Sequence, residues 1–132
     1  MRVLLVDDHI DGLEVTAKLL RMEGFEVVTA GCCREAMSLA QQSHMDLVVT
    51  DLGLPDGTGM QLLADLKGLY PIEGVAMTAH SEGDFLDGAT RGGFARYLFK
   101  PFVFSDLLGA VREALGPEKS ASFPGSISPG QV

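Results

Sequence analysis

Residues 45–59 read MDLVVTDLGLPDGTG, and the reading of that stretch decides the fold. Leu47, Val48 and Val49 make a short apolar run with β-branched character, which suits a strand buried on both faces. The run stops at Asp51, and Gly53, Pro55, Asp56 and Gly57 follow at once; these are loop residues. One acid therefore stands at the C-terminal end of a central strand. In an open parallel α/β sheet, ligands bind at that edge. An aspartate is also common at plain turns, so the rest of the chain has to weigh in.

Working outward, Arg2 to Val6 is a short apolar strand that ends at Asp7-Asp8. Ile10, Leu13, Ala17 and Leu20 recur at helical spacing, with Glu14 and Lys18 paired on the other side, and Gly24 stops the helix. Phe25 to Thr29 is expected as the second strand and Arg34 to Gln42 as a helix facing the sheet through Ala36, Leu39 and Ala40. Beyond Asp51, Thr58 is placed to cap a helix carrying Leu62, Leu63 and Leu66. Gly74 to Met77 is the fourth strand, ending at Thr78, and residues 82–91 form a weak helix broken up by Gly88 and followed by Gly92-Gly93. Ala95 to Leu98 is the fifth strand, followed by Lys100-Pro101; Ser105 is the expected N-cap of a last helix with Leu107, Leu108, Val111 and Leu115 inward.

Strand and helix thus alternate, which predicts a five-stranded parallel sheet, doubly wound, with helices on both faces. Right-handed crossovers put all the strand C-termini on one edge. Residues 1–116 are expected to form this domain. Residues 117–132, rich in Ser, Pro and Gly without periodicity, read as a disordered tail or a truncated linker.

Composition narrows the function. The chain has 132 residues, of which 46% are hydrophobic and 21% charged, enough for one domain with a substantial core. Its net charge of −8 opposes a phosphate-tracking surface, so no direct nucleic-acid binding is expected. No apolar run reaches membrane-spanning length, and MRVLLVDD meets acids too early for a signal peptide, so no membrane and a cytoplasmic location are expected. Cys32 and Cys33 are adjacent, a spacing for neither a disulfide framework nor a zinc site, and read as reduced thiols near a helix start.

The shared edge would gather Asp7, Asp8, Asp51, Thr78 and Lys100. Three carboxylates crowded there repel one another, and a divalent cation removes the conflict. Hard oxygen donors without Cys or His favour Mg²⁺ or Mn²⁺ over zinc. His9, His44 and His80 show no ligand spacing and read as surface residues. Lys100 supplies a positive charge and Thr78 a hydroxyl donor. The set suits phosphoryl transfer, which needs positioning and charge neutralisation, with Asp51 as the nucleophile.

On these residues the chain resembles the receiver domains of two-component response regulators, over about residues 2–115. The matching motifs are VLLVDD (Val3–Asp8), DLVVTDLGLPDGTG (Asp46–Gly59), MTAH (Met77–His80) and YLFKP (Tyr97–Pro101). The resemblance implies a flavodoxin-like strand order 2-1-3-4-5. It implies that Asp51 accepts a phosphoryl group from a phosphohistidine on a histidine kinase or histidine phosphotransfer protein. Asp7, Asp8, Asp51 and the carbonyl of Gly53 would hold the metal, with Asp8 a more direct ligand than Asp7. Thr78 and Lys100 would contact phosphoryl oxygens, Tyr97 would be the aromatic switch, and the bond before Pro101 would be cis. Four departures stand out: Gly53 has no side chain to gate the site, His80 is polar, Gly57-Thr58 suggests a looser loop, and Phe94 stands where a small residue is usual.

A phosphorylation-controlled signalling switch, not an enzyme, is therefore the leading expectation, either free-standing or as the receiver fragment of a hybrid histidine kinase or larger regulator. A phosphatase turning over through an aspartyl-phosphate commonly needs a second acid two residues after its nucleophile, where this chain has Gly53. A flavin carrier of the same topology needs a phosphate-cradling loop after the first strand, where Asp7-Asp8 has the wrong sign. The site, rather than the fold, separates the three.

Overall fold

The computed structural model describes residues 1–78 and 93–116. Strands β1 (Arg2–Val6), β2 (Glu26–Ala30), β3 (Leu47–Asp51), β6 (Glu73–Thr78) and β7 (Arg96–Phe99) form one parallel sheet in the order β2-β1-β3-β6-β7. Counting only these strands, that is the order 2-1-3-4-5 of a flavodoxin-like, doubly wound α/β fold. The remaining strands, β4 (Gly53–Leu54) and β5 (Gly57–Thr58), pair antiparallel as a small hairpin. The loose loop expected at Gly57-Thr58 is thus an ordered hairpin, turned by Pro55-Asp56.

The period of two along each strand divides the core. Val3 and Leu5 of β1, Leu47 and Val49 of β3, and Val75 and Met77 of β6 point to the face covered by α1 (Ile10–Met22) and α4 (Phe104–Leu115). Leu4 and Val6, Val48, and Ala76 point to the face covered by α2 (Cys33–Gln42) and α3 (Gly59–Lys67). Val3, Leu4, Val6, Leu47, Val48 and Val49 are wholly buried, as a two-sided sheet demands. The four helices contribute Leu13, Ala17 and Leu20; Ala36 and Ala40; Leu62, Leu63 and Leu66; and Leu107, Ala110, Val111 and Leu115.

Several boundaries differ from the sequence reading: β6 starts at Glu73 rather than Gly74, and β7 runs Arg96–Phe99 rather than Ala95–Leu98. β2 starts at Glu26 because the amide of Phe25 bonds back to the carbonyl of Leu20 at 3.3 Å, closing α1, while Gly24 turns the chain at φ +98°. α2 starts at Cys33, one residue early. α4 starts at Phe104 with Val103 as N-cap, not Ser105; the amides of Asp106 and Leu107 already bond to the Val103 carbonyl. Thr58 does cap α3, its hydroxyl accepting from the Gln61 amide at 3.1 Å. The helix expected at 82–91 and the tail expected at 117–132 lie outside the described residues, as does His80.

Candidate functional site

β1, β3, β6 and β7 end together, and each delivers a polar residue to the same edge. β1 hands over to Asp7, whose backbone stays tied to the sheet through its amide and the Ala30 carbonyl. β3 ends in Asp51, in register with Met77; β6 ends in Thr78, in register with Phe99. The amide of Lys100 donates to the Thr78 carbonyl at 2.7 Å, which carries Lys100 to the edge as β7 finishes.

Lys100 links the acids. Its Nζ lies 2.9 Å from Asp51 Oδ2 and 3.3 Å from Asp7 Oδ2. Burial works against the Lys100 ammonium, but hydrogen bonding and charge from Asp51, then Asp7, outweigh it and hold its pKa above the ordinary lysine value. For Asp7, burial likewise opposes the charged form; hydrogen bonds from His9 and the Lys100 charge outweigh it and hold the carboxyl below its usual range. Charges this close, with both acid side chains almost enclosed, interact more strongly than an exposed pair.

His9 enters the site where the sequence reading left it out. Its amide donates to Asp7 Oδ1 at 3.0 Å, and its Nδ1 lies 3.1 Å from Asp7 Oδ1 and 3.3 Å from Asp8 Oδ1. Donor atoms of Asp7, Asp8, His9 and Asp51 fall within 4.8 Å of one another. The imidazole is exposed, as expected, but the donor set is not free of histidine. Adjacency to Asp7-Asp8 is the signal the sequence offers; ligand spacing is the wrong test for the N-cap residue of α1. The carboxylate oxygens still dominate, and they fit a hard divalent cation.

Thr78 is buried at the same edge, and Gly53 sits beside the acids, its amide 3.4 Å from Asp51 Oδ1. The Lys100–Pro101 peptide is cis. Tyr97 is half-buried on β7, and its ring meets Phe94 edge-on at a centroid distance of 6.0 Å. Burial raises the Tyr97 phenol pKa, against a weaker opposing hydrogen bond from the Phe94 backbone. Asp56, passed over as a turn residue, accepts from the amides of Cys33 and Arg34 at 2.8 and 3.0 Å. Only its place before Gly57 marked it in the sequence, and that signals a turn without saying what the carboxylate reaches.

Fold and site together define a doubly wound α/β domain with a lysine-bridged acid cluster at its carboxyl edge. The profile of the response regulator receiver domain matches residues 3–112, and the chain belongs to that family. Over 117 residues it is 37% identical to the transcriptional regulatory protein PdtaR of Mycobacterium tuberculosis, covering 86% of this chain and 56% of that protein. The crystal structure of a response regulator receiver domain protein from Clostridium thermocellum is similar at a TM-score of 0.80 and 30% identity, covering 89% of this chain and 96% of that one. A response regulator from Burkholderia pseudomallei, crystallised with a phosphorylated aspartic acid, a calcium ion and citrate, is similar at a TM-score of 0.76 and 26% identity, covering 92% of this chain and 69% of that one. The chain spans about half the length of the curated relatives it matches. Receiver domains of response regulators are signalling switches phosphorylated by histidine kinases. Among the described residues, no helix is long and apolar enough to cross a membrane.

Proposed function

We propose that this chain is the phosphorylation-controlled switch of a two-component phosphorelay, with Asp51 as acceptor. The observation that carries the reading is the Lys100 ammonium between the Asp51 and Asp7 carboxylates, 2.9 and 3.3 Å away, at the open edge of the sheet. A carboxylate oxygen of Asp51 attacks the phosphorus of a phosphohistidine on a histidine kinase or phosphotransfer protein. The new O–P bond forms as the P–N bond breaks, and the bonding pair leaves with the imidazole, which is protonated as it departs.

Asp7, Asp8, Asp51 and the Gly53 carbonyl would hold Mg²⁺, or Mn²⁺, with Asp8 the more accessible carboxylate. When bound, the cation offsets the charge of these acids and of the incoming phosphoryl oxygens. Lys100 turns from its carboxylate partners to one phosphoryl oxygen, and the Thr78 hydroxyl donates to another. Drawing Thr78 inward alters the space behind it, which Tyr97 fills, so charge added at Asp51 becomes a changed surface near β7 and α4. Two states respond to phosphorylation only as far as the phosphoryl group interacts differently with each.

Gly53 offers no general acid two residues beyond Asp51, which favours a switch over a phosphatase. The reading carries a cytoplasmic location and a protein partner for output, and the net charge of −8 disfavours direct nucleic-acid contact by this domain.

Acetyl phosphate with Mg²⁺ is expected to add one acid-stable, base-labile phosphoryl group, seen by intact-mass spectrometry. Asp51→Asn is expected to abolish it. Labelling of Asp51→Asn at undiminished stoichiometry would overturn the assignment.

A further inference from the structure

We propose that Asp56 is a positioning residue for this site: its carboxylate ties the tip of the β4–β5 hairpin to the start of α2 and so holds Gly53 beside Asp51. The inference rests on the metal-dependent switch read above.

A helix leaves its first amides without intrahelical partners, and they are usually met by the N-cap side chain. In α2 the N-cap is Cys32, extended at φ −159° and ψ 169°, and its side chain makes no capping bond. The amides of Cys33 and Arg34 donate instead to the two oxygens of Asp56, at 2.8 and 3.0 Å. The cap is therefore supplied from another element, 23 residues further along the chain from Cys33. Both carboxylate oxygens are used, at the positive end of the helix dipole. These backbone hydrogen bonds, Arg34 first, hold the Asp56 carboxyl below its ordinary range although solvent reaches it freely.

The hairpin has two fastenings. At its base, the Gly59 amide bonds to the Leu52 carbonyl at 2.9 Å, and Leu52 in turn donates to Met77 at 3.0 Å. A Cβ on Gly59 would lie 2.5 Å from the Asp51 carbonyl oxygen, so the chain returns tightly against the acceptor's own backbone. At its tip, Asp56 is the charged tie; the Cys33 Sγ also donates to the Thr58 carbonyl at 3.8 Å and lies 3.2 Å from where a Cβ on Gly57 would stand. Between them is a ladder of only two residue pairs, Gly53 with Thr58 and Leu54 with Gly57. So short a ladder does not hold its own shape in water. Gly53, with no side chain to anchor it, takes its position from the two ends and from the long 3.4 Å bond of its amide to Asp51 Oδ1.

Two roles for Asp56 can be separated. As a cap it stabilises α2; as a clamp it positions Gly53. Asp56→Ala removes both. Cys32→Ser added to Asp56→Ala returns a local N-cap to α2 without returning the tie. Mg²⁺ affinity is read by calorimetric titration, and the rate of phosphorylation by acetyl phosphate is followed against Mg²⁺ concentration. Asp56→Ala is expected to weaken Mg²⁺ binding by about tenfold, the scale of losing an outer partner of a metal ligand. The maximal rate at saturating Mg²⁺ should be retained. Asp56→Asn, which keeps one acceptor oxygen, should recover part of the affinity. In the Cys32→Ser, Asp56→Ala protein the melting temperature should recover while Mg²⁺ affinity stays low.

Unchanged affinity in Asp56→Ala overturns the clamp and leaves the switch standing. Recovery of both stability and affinity with Cys32→Ser reduces Asp56 to a helix cap and also overturns it. Should Asp56→Ala fail to fold, Asp56→Asn carries the same comparison, and wild-type affinity in that variant overturns the clamp. A wild-type protein that binds no Mg²⁺ overturns the proposed function together with the clamp.

Discussion

Cys33 stands at the first position of α2, where the helix dipole ordinarily lowers a thiol pKa. Here the thiol is pushed up to about 11, by burial first and then by the charge and hydrogen bond of Asp56. The same carboxylate that satisfies the α2 amides thus suppresses the thiolate beside them. At pH 8 about one Cys33 side chain in a thousand is ionised, given a pKa of about 11. Alkylation by iodoacetamide, followed by peptide mass spectrometry, should be slow at pH 8. Its rate should rise about tenfold per pH unit up to pH 10, because only the thiolate reacts and its fraction grows with pH until the pKa is reached. Asp56→Asn should speed it at pH 8 by removing the charge. Equal rates in the two proteins would show that Asp56 does not set the thiol's state.

At the scale of elements, the fit between β6, α3 and the segment leading into β7 turns on two residues. Glycine weakens a strand interior, and Gly74 lies near the start of β6; Phe94 is bulky for a position just before β7. The structure pairs them. A Cβ on Gly74 would come within 2.9 and 3.1 Å of the Phe94 ring and 3.0 Å of Leu63 Cδ1. Phe94 is buried in the space that the missing side chain leaves, and the Ala95 amide bonds to the Gly74 carbonyl at 2.8 Å. Gly74→Ala is therefore expected to destabilise the fold by about 1–2 kcal/mol, the scale of core overpacking, in urea titration. In a Phe94→Ala background the same change should cost clearly less, since the ring is gone and the remaining close atom, Leu63 Cδ1, is the end of a flexible side chain. An equal cost in both backgrounds would mean that the ring is not what glycine accommodates. Phe94 is also the ring against which Tyr97 rests, the residue assigned the switching role in the proposed function.

For the molecule as a whole, the acid cluster sets stability against readiness. Asp7, Asp8 and Asp51 share an edge with one lysine, which leaves an excess of negative charge there. A ligand that binds only the folded state stabilises it by mass action, about 2.7 kcal/mol at a hundred times its Kd. Saturating Mg²⁺ should raise the melting temperature by on the order of 10 °C, measured by scanning calorimetry. Asp8→Ala should remove that rise. It should not lower the melting temperature of the metal-free protein, because Asp8 makes no bond to Lys100 and adds to the repulsion that Lys100 offsets for Asp7 and Asp51. A Mg²⁺-dependent rise that survives in Asp8→Ala would exclude this carboxylate from the cation site.

The sequence by itself determined the alternation of strands and helices, the parallel sheet, and the residues carried to its edge. Those features rest on short-range regularities: apolar runs such as Leu47–Val49, helical spacing such as Leu62, Leu63 and Leu66, and acids or a lysine placed where a strand stops. Wherever a partner is distant in the chain, that regularity is silent. The start of α2 could not be located from Arg34, because its cap is Asp56 in another element. Ser105 suggested the wrong start for α4, because a hydroxyl marks a cap only if the chain is extended there, and the turn had already begun at Val103. His9 adjoins Asp7 and Asp8 in the sequence, but adjacency alone does not say that its ring reaches both carboxylates; the extended backbone of the α1 N-cap brings it there. Gly74 and Phe94 are 20 residues apart; Gly74 reads as a plain strand start and Phe94 as a departure until the sheet sets one against the other. Tertiary structure decided these points because capping, packing and charge act over a few ångströms of space, whatever separates the residues along the chain.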